Sequence, residues 1–87
     1  MYSLSVSKDV KKFIASRDSK TRRKIINALE DLSKDPSENT LDIKPMQGMT
    51  NHFRLRIGKY RFLYEIKNDS ILIYVYHAGS RGDVYKK

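Results

Sequence analysis

Residues 52–64, HFRLRIGKYRFLY, consist of two alternating segments separated by Gly58-Lys59. Phe53, Leu55 and Ile57 alternate with Arg54 and Arg56; past the break, Tyr60, Phe62, Tyr64 and Ile66 alternate with Arg61, Leu63 and Glu65. Side chains on a strand point to opposite faces in turn. A two-residue break containing glycine is the tightest link between antiparallel strands. The run therefore predicts a β-hairpin with one apolar face and one face carrying three arginines.

The remaining elements follow from the same periodicity arguments. YSLSV (2–6) alternates and predicts a half-buried strand. Ser7 is a good N-cap and Asp9 suits the first turn, so Val10, Phe13 and Ile14 define a helix over about 8–16. Ile25, Ile26, Leu29 and Leu32 form the stripe of a second helix, capped by Asp18 or Ser19 and ended by Asp35-Pro36. Residues 37–51 read as a long polar connector, with Gly48 at a positive backbone angle. Strands are expected at 52–57, 60–67 and 70–77, the last two joined by a turn at Lys67-Asn68-Asp69. ILIYVY (71–76) suits a central strand covered on both faces. The expected fold is α+β: an N-terminal strand, a helical hairpin, then a three-stranded antiparallel meander, with the helices on one sheet face and residues 1–87 forming one domain.

That arrangement leaves the arginine face open. The chain carries a net charge of +8. Residues 1–43 hold nine basic and seven acidic side chains, whereas residues 44–87 hold nine and three. Such a field favours nucleic acid, an anionic membrane or an acidic protein. There is no cysteine, and the two histidines lie in separate segments, so no structural metal site is expected. No apolar run approaches the roughly 20 residues of a membrane helix, and the N-terminus lacks a signal-peptide core. A soluble protein of the reducing cytoplasm is expected.

If the hairpin closes at Gly58-Lys59, Arg56 and Arg61 face each other. Like charges so placed are unfavourable unless an anion sits between them, and the guanidinium fork matches a phosphate. The alternatives are plainer. Arg54 and Arg56 would blunt a sheet edge, Arg61 would pair with Glu65, Arg81 would be solvated in its glycine-flanked loop, and Tyr85 would pack at the C-terminus. An imidazole moves protons near neutral pH, which makes His77 the candidate base. Alternation groups it with Ile71, Ile73 and Val75, however, and so favours a structural role. His52 opens the first arginine strand, near a substrate or simply solvated.

KPMQG (44–48), FRLRIGKYRFLYEI (53–66), ILIYV (71–75) and GSRGDVY (79–85) follow one another after a helical hairpin ending in KDP. In this order they resemble the RelE/ParE toxin superfamily of toxin–antitoxin modules over nearly the whole chain. The resemblance implies one of two activities. RelE-like members are ribosome-dependent, metal-independent endoribonucleases that cut messenger RNA; ParE-like members act on DNA gyrase. A non-toxic relative that only binds RNA or its partner is the third reading. Carried over to this chain, the RelE-like catalytic set is Arg54, Arg56, Arg61, Arg81 and Tyr85. Lys44, Lys59, Lys86 and His52 are expected to contact RNA. No cofactor or metal is implied. The implied partners are an acidic, RelB-like antitoxin, the ribosome and mRNA. Two departures stand out: relatives often carry lysine where Arg54 and Arg56 stand, and histidine or lysine where Ser80 stands. Arginine does not give up its proton, so the group that moves protons is left open.

Overall fold

The computed structural model describes residues 2–36 and 40–80. Alternation becomes pairing as expected between strands β3 (His52–Ile57) and β4 (Tyr60–Lys67), with Ile57 opposite Tyr60. Gly58 has φ +60, and the positive angle at the first central residue is what a two-residue hairpin turn requires. Around this hairpin lie β1 (Ser3–Val6), β2 (Asp42–Pro45) and β5 (Leu72–Ser80), in the sheet order β1-β5-β4-β3-β2. β1 runs parallel to β5; the other pairs are antiparallel.

Helices α1 (Lys8–Ala15) and α2 (Ser19–Lys34) cover one face. The Ser7 hydroxyl accepts from the Val10 amide and caps α1, and Asp18 stands at the N-cap of α2. α2 buries Ile25, Ala28, Leu29 and Leu32, a spacing of three and four that keeps one stripe on the sheet. Ile26, placed in that stripe by the sequence reading, is instead 45% exposed; Ala28 takes the inward place. Phe13 sets its ring edge-on to Tyr60 and Phe62, and Leu55, Phe62, Tyr64, Ile73 and Val75 complete the core.

Three further expectations are corrected. The connector contains a strand, β2, so the antiparallel meander has four strands and the sheet five. The last strand starts at Leu72, after a 3-10 turn at Asn68–Ser70, and runs on to Ser80. β5 is central but covered on one face only: Ile73 and Val75 are buried among the core, while Tyr74 and Tyr76 are half-buried on the other side.

Candidate functional site

The face opposite the helices is laid out in three cross-strand rows. In the first, Asp42, Arg56, Arg61 and Gly79 stand side by side across β2, β3, β4 and β5. The second holds Lys44, Arg54, Leu63 and His77. The third holds His52, Glu65, Tyr74 and Ser5, reaching β1. Neighbours within a row are about 5 Å apart, and rows about 7 Å apart, as strand geometry dictates.

Arg56 and Arg61 are direct cross-strand partners, as the hairpin reading requires. Arg54 lies on the same face but is not free-standing: it is 8% exposed, and its terminal nitrogen donates to Asp42 Oδ1 at 3.1 Å. Asp42 Oδ2 lies 3.9 Å from Arg56 Nε. One carboxylate on β2 thus orients two arginines of β3. Among the described residues the buried Arg54 Nε has no hydrogen-bond partner, and the guanidinium is held by the Asp42 contact at the far end of the fork. Arg56 is about half-exposed and remains available to a ligand.

The third row forms a polar cluster. His52 Nδ1 lies 2.9 Å from the Tyr76 hydroxyl, and His52 Nε2 lies 3.9 Å from Glu65 Oε2. Lys67 Nζ reaches the other Glu65 oxygen at 3.5 Å. Glu65 thus pairs with His52 and Lys67. The Tyr76 hydroxyl also contacts Met46 Sδ at 3.7 Å. Burial first, and then the Glu65 charge, push the Tyr76 phenol above its ordinary pKa, so it stays a protonated hydrogen-bonding group.

His77 moves relative to the sequence reading. The β4–β5 register slips between Leu63 and Tyr64, which pair with His77 and Val75, so Tyr76 is an extra residue in β5. Such a bulge reverses which face later residues occupy. Ala78 consequently packs against the core, opposite Phe62, while His77 is exposed on the arginine face. Its separation from Ile73 and Val75 removes the ground for a structural role.

Of the other expected site residues, Lys44 and Lys59 are exposed, Lys59 at the hairpin tip with its amine 5.6 Å from the Tyr60 ring centre. Arg81, Tyr85 and Lys86 lie outside the described residues. Sequence reasoning missed Asp42, Tyr76 and Glu65 as members of the site. The signal for Asp42 was present: Leu41, Ile43 and Pro45 alternate with Asp42 and Lys44.

The model of one family, described as "ParE toxin of type II toxin-antitoxin system, parDE", matches residues 2–85. The chain belongs to this toxin family. Among solved structures, a chain of the archaeal RelE–RelB complex from Pyrococcus horikoshii matches the toxin with a TM-score of 0.82 at 22% identity, covering 94% of this chain and 97% of that one. The isolated RelE toxin of E. coli matches with a TM-score of 0.77 at 19% identity, covering 98% and 92%. The RelB–RelE complex of Methanococcus jannaschii gives 0.74 at 26% identity, covering 94% and 95%. A sequence comparison with curated proteins finds no match. The toxin therefore has the RelE-like fold, and among its described residues no helix is long and apolar enough to cross a membrane.

Proposed function

We propose that this toxin is a RelE-like endoribonuclease that cuts messenger RNA on the ribosome, in the cytoplasm and without metal. The observation that carries the reading is the facing pair Arg56 and Arg61 on the sheet face opposite the helices, with Arg54 and His77 one row away. In RNA the 2′-hydroxyl can attack the adjacent phosphorus, which concentrates negative charge on the phosphate oxygens. Fixed guanidinium groups aimed at those oxygens stabilise that charge, and losing one such donor typically costs about 10²–10³ in rate. Arg81 is proposed to add a further cation and Tyr85 to stack on a base, as aromatics do with unpaired RNA. Lys44, Lys59 and Lys86 supply screened attraction to the backbone.

A second reading keeps the family model's own name: a ParE-like toxin that binds DNA gyrase. Mapping RNA 5′ ends after induction separates the two. Cuts at fixed codon positions, lost together with growth arrest in Arg61→Ala, are expected. Intact messages with damaged DNA would support gyrase binding, and a fully toxic Arg61→Ala would remove the arginine assignment.

The partner is proposed to be an acidic, RelB-like antitoxin, since relatives of this fold are solved as complexes with RelB. A groove between β1 and the helices, lined by Leu4, Val6, Ile14, Ile26 and Leu29, has Lys11 and Arg22 against a single Glu30 among its charged residues and suits an amphipathic acidic helix. Ile26 is the exposed apolar residue at its mouth. Ile26 is already about half covered, so burying the rest of it is worth about 1–1.5 kcal/mol, roughly half the value for a fully exposed side chain. Ile26→Asp is therefore expected to weaken antitoxin binding by about 10-fold while the isolated toxin stays folded, with a modestly lowered melting temperature. Unaltered affinity in a calorimetric titration would place the antitoxin elsewhere.

A further inference from the structure

The arginines of this face can hold a phosphate but cannot accept a proton. We infer that His77 is the general base that takes the proton from the attacking 2′-hydroxyl, an inference that rests on the nuclease reading above. Among the described residues, Asp42, Glu65, His52 and His77 are the groups on the face with an acceptor atom suited to proton abstraction. Asp42 has both oxygens turned to arginines, at 3.1 and 3.9 Å. Glu65 is flanked by His52 and Lys67. The two ring nitrogens of His52 face the Tyr76 hydroxyl and Glu65, and His52 stands two rows from Arg56 and Arg61. His77 is exposed, and among the described residues no hydrogen bond or ion pair engages its ring. Carboxylates as a class are also weaker bases than imidazole by about two pKa units.

The position of His77 suits a base. It stands opposite Leu63, one row from Arg61, a diagonal of about 7–8 Å between backbone positions. The next β5 position on this face is Gly79, so no β5 side chain stands between the ring and the Arg61 row. A phosphate held by the Arg61 fork would bring its neighbouring ribose toward the imidazole. In the step proposed, the neutral ring accepts the 2′-hydroxyl proton as the O2′–P bond forms and the P–O5′ bond breaks. The departing 5′ oxygen takes a proton from water, and the imidazolium returns its own to solvent. The products are a 2′,3′-cyclic phosphate and a 5′-hydroxyl end. The bulge is what makes this possible: without it, strict alternation from Val75 through Tyr76 would turn His77 toward the helices. Tyr76 is thereby a positioning residue, its hydroxyl held by His52 across the sheet.

The test uses the full chain on ribosomes programmed with a defined mRNA, with single-turnover cleavage followed across the range in which imidazoles titrate, about pH 5–8. His77→Gln is expected to slow cleavage by about 10²–10⁴-fold, to flatten the rise of rate with pH, and to leave melting and ribosome affinity unchanged. Added imidazole is expected to restore part of the rate to His77→Ala. With an mRNA whose 5′ bridging oxygen is sulfur, a better leaving group, His77→Gln is expected to stay slow. A rate within about threefold of the parent would overturn the inference while a dead Arg61→Ala kept the nuclease reading standing. Recovery with the sulfur substrate would also overturn it, because the histidine would then be acting on the leaving group. Failure of the parent chain to cleave would remove both.

Discussion

Asp42 sets the electrostatics of the arginine face more than any single arginine does. It is an anion placed where a phosphate would bind, and it holds Arg54 at 3.1 Å and Arg56 at 3.9 Å. It has two opposed effects. It satisfies a nearly buried guanidinium, and under the proposed nuclease reading it would compete with RNA for the same forks. Asp42→Asn is expected to lower folding stability by about 1–3 kcal/mol, the cost of weakening a hydrogen bond to a buried charge. The same change is expected to tighten binding of a short single-stranded RNA and to steepen its salt dependence, because two cations become available to phosphates. Urea denaturation reads the first effect and fluorescence anisotropy over a salt series the second. Weaker RNA binding would mean that Asp42 aims the arginines rather than competing for them. Arginine at positions 54 and 56 fits this arrangement. A planar fork can keep one nitrogen on a carboxylate and offer another to a ligand.

At the scale of elements, legibility followed how much of the signal was local. The β3–β4 hairpin was legible to the residue, because alternation on both sides and a glycine turn fix register together. The helices were plain in extent, through Ser7 as cap and the stripe of α2, but not to the residue, since Ile26 stands outside that stripe and Ala28 within it. β2 was hidden because it is short, ends in Pro45 and lies among turn formers; a proline is tolerated there because β2 is an edge strand, whose outer side needs no ladder donor. The start of β5 was misplaced because Ile71 adopts φ +50, a left-handed angle that a β-branched residue seldom takes. The bulge left no mark in the sequence at all. ILIYVYHA reads as continuous strand, and only the pairing with β4 reveals that Tyr76 is supernumerary. That one hidden irregularity decides where His77 stands, since it carries the residue from the helix side to the arginine side. The facing arginines were thus readable from the sequence, whereas their counter-ion and the exposed histidine depended on tertiary pairing.

The whole molecule packs two helices on one sheet face, and Tyr64 is buried in the core between them. It is 1% exposed and stacks on Phe53 with ring centres 5.5 Å apart. Burial pushes its phenol up to about 12. An unfolded tyrosine titrates near about 10. Below that value both states keep the proton, and the stability Tyr64 contributes is fully present. As pH rises beyond it, the unfolded chain ionises while the folded one still holds its proton, so the unfolded state gains about 1.4 kcal/mol per pH unit. Between pH 10 and 12 the fold is therefore expected to lose about 2 kcal/mol through this residue. Tyr64→Phe keeps the ring and its packing but removes the ionisation. Urea unfolding of both chains at neutral pH and at several points above pH 10 is expected to give curves that agree at neutral pH and diverge in alkali, the variant remaining the more stable. Loss of lysine charge over the same range relieves repulsion within a chain of net charge +8, but it acts equally on both proteins and cancels in the difference. Parallel decline of the two curves would mean that Tyr64 ionises without unfolding, and that the helix–sheet contact opens locally before the fold is lost.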